Sequence, residues 1–159
     1  MARTLKLKAE DGEDVKVLSA YLQDAIVAIC DVGYFKEDRR FVLVANRFKW
    51  ETCSDLLQPA AKAGADGCPY ERTHCGLRFE GVTAVKSRNL DPRDRGQMLC
   101  LLAMEVSDDG AVLLHFSGGT ALKVEMDRIS VFMEDMGEPW PTSCVPCHPL
   151  DDITAEATL

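Results

Sequence analysis

Residues 25–50 read AIVAICDVGYFKEDRRFVLVANRFKW, and this stretch decides the fold. Two β-branched and aromatic runs, 25–35 and 41–50, flank the polar break Phe35-Lys36-Glu37-Asp38-Arg39-Arg40, the pattern of a long β-hairpin. In the second run, alternation sets Val42, Val44, Phe48 and Trp50 on one face, with Phe41, Leu43, Arg47 and Lys49 on the other. Both faces begin apolar, so the second face is expected to be partly covered, as a helix would do. Arg47 and Lys49 are expected to project their charges together.

Upstream, Leu5 and Leu7 alternate with Lys6 and Lys8, a short strand that ends at Glu10-Asp11-Gly12. Val15, Leu18 and Leu22 then recur at helical spacing, with Asp11 or Asp14 as the cap and an end near Gln23 or Asp24. Downstream, residues 51–76 are rich in Ala, Gly, Pro and Cys and read as an irregular excursion. Four strands are expected after it: Leu77–Ser87, Gln97–Val106, Ala111–Phe116 and Ala121–Met126. The turns Ser107–Gly110 and Ser117–Thr120 carry glycines that can take positive φ. Ile129, Phe132, Met133 and Met136 return to helical spacing and stop at Gly137, which predicts a closing helix.

The order predicts an α+β fold built on a predominantly antiparallel sheet. It resembles a pleckstrin-homology-like partly open barrel with a helix after strand 1 and a C-terminal helix. Residues 1–140 form a single expected domain and 141–159 a tail with prolines and cysteines.

The chain has 159 residues, enough for a core without covalent staples. Residues 1–99 hold 16 Lys+Arg against 15 Asp+Glu, while residues 100–159 hold 2 against 11, so the net charge of -8 sits in the last third. A nucleic-acid partner would need a basic stripe, and an acidic membrane surface a basic or amphipathic anchor. Neither pattern is present, so no nucleic acid and no membrane is expected as a partner. The first residues turn acidic by Glu10 with no apolar run behind them, which argues against a secretory signal and for a cytoplasmic location. Seven cysteines are then expected as free thiols.

Cys144-Val145-Pro146-Cys147-His148 has the spacing of covalent haem attachment, but haem needs an exported chain, and no cofactor is expected. Zinc is the better chemistry for that pair of soft ligands. Cys144 and Cys147 would need two more, for which Cys68, His74 and Cys75 are the candidates. Thioredoxin-like redox work would need a helix after the motif, and His-Pro follows instead. His115 could serve as a base but reads as an ordinary hydrogen-bonded histidine. There is no nucleophile elbow, no H-E-x-x-H and no P-loop.

Arg39, Arg40, Arg47 and Lys49 cluster in the hairpin, and Trp140 stands between prolines. One reading has the aromatics closing the core, with the cations solvated or paired to the acidic C-terminal part. The other has these five residues forming a binding edge for an acidic peptide or anionic ligand. Two functions follow: a non-enzymatic cytoplasmic domain that binds a protein or peptide, or a zinc-binding or thiol-dependent enzyme or regulator.

The segments RRFVLVANRFKWE (39–51), LRFEGVTAVKS (77–87), LLAMEV (101–106) and LHFSGGTALKVE (114–125) resemble an uncharacterised alphaproteobacterial protein family, the domain-of-unknown-function family 2948. The distinctive combination is Asn46-Arg47-Phe48-x-Trp50 with Phe116-x-Gly118-Gly119. The resemblance implies a bacterial cytoplasmic protein and brings no catalytic residue, substrate or cofactor.

Overall fold

Asp11 begins the helix by accepting a hydrogen bond from the Asp14 amide at 2.8 Å, and Glu13 and Asp14 put negative charge on its first turn. This helix, α1, spans Gly12–Leu22 and buries Val15, Leu18 and Leu22. Each of those side chains contributes about 1.5–3 kcal/mol by leaving water. The computed structural model describes residues 4–52, 70–91 and 93–142.

Nine strands form one antiparallel sheet around α1 among those residues. In chain order they are β1 (Lys6–Ala9), β2 (Ala25–Phe35), β3 (Arg40–Phe48), β4 (Tyr70–Glu80), β5 (Val82–Arg88), β6 (Met98–Val106), β7 (Val112–Phe116), β8 (Ala121–Met126) and β9 (Val131–Thr142). Across the sheet the order is β1-β9-β4-β3-β2-β6-β7-β8-β5, an open ladder whose outer strands are β1 and β5. The core collects Phe41, Leu43, Leu77, Phe79, Leu101, Leu114, Val124 and Met133 on the face that α1 covers. Ser19 on α1 accepts from the Met104 amide at 2.9 Å, close to where β6 shifts register between Leu101 and Ala103. The helix thus supplies an acceptor that the interrupted ladder does not.

Chain segments turn aside at a sharp corner. Gly81, at φ +70°, separates β4 from β5, and its carbonyl accepts from the Asp127 amide just past β8. Val82 donates to the Arg39 carbonyl at 2.8 Å, and Glu80 to the Ser130 carbonyl at 3.0 Å. The single strand expected over Leu77–Ser87 is therefore two strands, because only a glycine turns there without a Cβ penalty.

Four other expectations are corrected. The closing helix is β9. Val131 and Met133 point into the core while Phe132 and Glu134 point out, a period of two that the apparent stripe through Ile129, Phe132, Met133 and Met136 concealed. Gly137, expected to cap that helix, has φ +73° beside the register shift of β9 against β4. The excursion 51–76 ends earlier than expected, since β4 starts at Tyr70. β9 also runs to Thr142, two residues into the expected tail. Finally, the hairpin strand ends at Phe48, and Trp50–Thr52 is a 3-10 turn. Trp50 Nε1 donates to the Gln23 carbonyl at 2.8 Å and so closes the C-terminal end of α1.

Candidate binding surface

The five hairpin-associated residues do not form one site. Arg39 ends the hairpin turn and Arg40 begins β3, whereas Arg47, Lys49 and Trp140 lie towards its far end, about 23 Å away at strand rise. Arg39 holds a left-handed backbone, φ +52°, and its guanidinium binds Asp127. Arg40 Nε donates to Glu80 at 2.7 Å.

Arg47 is the largest departure from expectation, for it faces the core and is 0% exposed. Its alternation with Phe41 and Leu43 holds, but that is the covered face. Nε and Nη2 donate to Asp135 at 2.7 and 2.6 Å, Nη1 and Nη2 to Glu51 at 3.0 and 2.7 Å, and Nη1 also to the Phe48 carbonyl at 3.4 Å. All five N–H groups of a guanidinium are then used, which leaves none to offer a ligand. Burial opposes the charge, but the hydrogen bonds to Asp135 and Glu51 outweigh it and hold the group protonated far above neutral pH. Burial likewise works to raise Glu51, and the Arg47 hydrogen bonds overcome it, so that carboxyl sits below its ordinary value. The expected pairing of hairpin cations with the acidic C-terminal part is realised at Arg47 by Asp135.

Lys49 pairs with Glu71 through its backbone amide and, at 3.8 Å, its ammonium. Trp140 packs at 4.7 Å on His74, and Arg72, its cross-strand partner, bonds the Asn46 side chain and overlies Phe48. This end of the sheet is an aromatic cluster in which every cation is engaged.

Of the expected metal ligands, Cys68, Cys144 and Cys147 lie outside the described residues, as does His148. Cys75 is fully buried, and burial first, then the Asp135 charge, pushes its thiol up to about 12. A thiol held that high is not a ready thiolate ligand. No cluster of three metal-ligating side chains occurs among the described residues. His115 contacts Glu105 at 2.9 Å on the exposed face.

A feature that sequence reasoning missed lies on β2. Its first part pairs with β3 on one side and with β6 on the other, but the β6 pairing covers only Ala25–Ala28. Ile29 still donates to the Gln97 carbonyl, and Arg95 reaches the Cys30 carbonyl at 3.5 Å. Asp31 lies in a register shift of β2 against β3, and from Val32 to Phe35 only β3 is bonded among the described residues, so one row of backbone donors and acceptors is open. Tyr34 and Phe35 are exposed along this row, with Met98 at its foot. Phe35 lies back over Gly33, where an added Cβ would come within 3.2 Å of the ring. Val42, which pairs with Gly33, continues the surface into a groove of about 330 Å³ lined also by Val44, Gly76, Phe132 and Met136.

No helix among the described residues is long and apolar enough to cross a membrane. No curated protein and no solved structure matches the chain. The family model described as "Protein of unknown function (DUF2948)" matches residues 5–148, and the chain belongs to that family.

Proposed function

We propose that this domain is a non-enzymatic binding module that takes an extended segment of a partner protein as an added strand along Val32–Phe35. The observation that carries the reading is the open half of β2, flanked by exposed Tyr34, Phe35 and Met98. The other free edges carry devices that discourage pairing. β1 is four residues long and presents Lys6 and Lys8. β5 presents Lys86 and Arg88 and shifts register near its start. The outer half of β9 contains Gly137, Pro139 and Pro141. Val32–Phe35 has neither proline nor lysine, and its exposed side chains are largely apolar. A chain backbone is the chemistry that fits an open backbone row, and alternate apolar side chains suit the aromatic flank.

A partly open, pleckstrin-homology-like barrel is the finer fold we read, supported by the corner at Gly81 and the register shift within β2. Its usual closing helix is replaced by β9. The three described cysteines, Cys30, Cys75 and Cys100, are free, which supports a cytoplasmic setting.

The test is selection of short peptides from a displayed random library, followed by titration of the recovered peptides against labelled protein. Alternating apolar consensus peptides should shift the amide resonances of residues 30–35 and 97–98. Phe35→Lys should weaken them about tenfold or more, the loss expected for burying a charge at a contact of this kind. Peptides without such a consensus, or binding that leaves these resonances still, would reject the reading. Pairing of two copies along the same edge would replace the foreign partner with a second molecule.

The zinc alternative rests on the sequence spacing of Cys144 and Cys147 alone. Near-stoichiometric zinc in protein purified under reducing conditions, lost in Cys144→Ala and Cys147→Ala, is the result that would support it. Metal-free protein would remove it.

A further inference from the structure

β5 ends the sheet, and its exposed cations are Lys86 and Arg88. Charge on an outer strand discourages pairing with other chains, which accounts for those two. It does not account for Lys123, which lies on β8 between two neighbouring strands and directly opposite Lys86. Like charges placed opposite one another across a ladder repel. Leu122 and Val124 are buried, so Lys123 shares the outer face with Ala121 and Glu125. Three rows therefore follow one another along this pair of strands: Ala84 with Glu125, Lys86 with Lys123, and Arg88 with Ala121.

Glu125 answers both lysines from one side, at 3.1 Å from Lys86 and 4.0 Å from Lys123. On the other side the row holds a cation and a methyl group. Arg88 is exposed and has no hydrogen bond or ion pair among the described residues. Ala121 leaves a depression of about 200 Å³, bounded on β7 by His115 and Leu113. Lys86, Arg88 and Lys123 line it, and no carboxylate does. The nearby carboxylates act from outside. Asp109 holds Lys123 at 2.6 Å from the turn before β7, and Glu105 holds His115 at 2.9 Å from β6. The one guanidinium left over thus lines the depression itself.

We infer that the depression over Ala121 is a binding site for a small soluble monocarboxylate, held by Arg88 and flanked by Lys86 and Lys123. A carboxylate there stands across the lysine pair from Glu125, so that both lysines have an anion on either side. Its two oxygens accept parallel bonds from the guanidinium fork. A single charge matches the single unpaired cation, and a second carboxylate would find none. Leu113 and the Ala121 methyl give the ligand's body an apolar wall. The volume is below the about 300–1,000 Å³ of sites for drug-sized ligands, so that body is a few carbons long. This site stands apart from the open half of β2 and does not depend on it.

Sodium butyrate, titrated at matched ionic strength against isotope-labelled protein, provides the test, with acetate, inorganic phosphate and butanol for comparison. Saturable shifts at Leu113, Ala121 and Lys123 are expected, in the millimolar range for so few atoms, weaker with acetate and absent with butanol. Arg88→Gln should lower butyrate affinity about tenfold or more, as expected for a charge-assisted contact. Ala121→Glu supplies the carboxylate from the chain itself, so it should abolish saturable butyrate binding while raising the melting temperature. Arg128→Gln removes an exposed arginine beside Asp127 that is also unpaired among the described residues, and it should change nothing. No saturable butyrate binding, unchanged affinity in Arg88→Gln, an equal loss in Arg128→Gln, or undiminished binding in Ala121→Glu would each overturn the site. Phosphate bound more tightly than butyrate would overturn the monocarboxylate in favour of a tetrahedral anion.

Discussion

Arg47 shows how one side chain can be legible in type and misleading in role. Its parity with Phe41 and Leu43 could be read, but which face the helix covers could not, and a charged residue at that position suggests solvent. The buried guanidinium is tolerable because two carboxylates and a carbonyl use all its donors. Arg47→Leu should therefore destabilise the fold by about 3–5 kcal/mol in urea denaturation, since it leaves Asp135 and Glu51 facing each other without a cation. Replacing all three with apolar residues should recover much of that loss. A triple variant no more stable than the single one would show that the charges do more than satisfy each other. The pH dependence has a definite sign. Glu51 has a lowered folded value, so its contribution is full above the ordinary glutamate range near pH 4.3 and fades as pH falls through the lower folded value. Glu51→Gln should flatten the acid limb of the stability curve. Thiol chemistry divides in the same way. Cys30 is exposed, while Cys75 is buried with its thiol pushed up to about 12. Alkylation near pH 8 followed by peptide mapping should label Cys30 quickly and spare Cys75 in the folded chain. Rapid labelling of Cys75 would show that the core opens there.

Elements with a clean local signal were readable. The limits of α1 follow from Asp11 and the spacing of Val15, Leu18 and Leu22, and β8 falls on the expected Ala121–Met126. β9 was not readable as a strand, because Phe132, Met133 and Met136 fit either period and its inward and outward sides are fixed only by pairing with β4 and β1. The break at Gly81 was hidden for a related reason: an isolated glycine in an apolar run looks tolerable until a second pair of strands is seen to turn beside it. Gly81→Ala tests that corner. No atom lies within 4 Å of where its Cβ would stand, so the cost is the backbone conformation alone, about 1–2 kcal/mol. Gly81→Asn should cost less, since asparagine tolerates positive φ better. Equal and negligible effects in thermal or urea melting would mean that the corner relaxes without the left-handed residue.

At the scale of the whole molecule, the property that no local pattern announces is which strands have two neighbours. β3 is bonded to β4 along its length and to β2 on either side of a register shift, while β2 has strands on both sides only at Ile26 and Val27. The same strand thus passes from sheet interior to sheet edge without any change in composition that marks the passage. Hydrogen exchange should resolve it. Amides alternate sides along an antiparallel strand, so those of Ile26 and Val27 should both be protected, whereas in Val32–Phe35 every second amide should exchange quickly. Amides in the middle of β3 should be the slowest of the hairpin, because opening them requires breaking both ladders. A peptide that adds along the edge must slow the fast set of β2 and leave the slow set unchanged, since only the former lacks an acceptor. Uniform protection from 25 to 35 in the free chain would mean that some other part of the chain already covers the edge. The edge would then be a structural seam, and the added-strand reading would fail before any partner was sought.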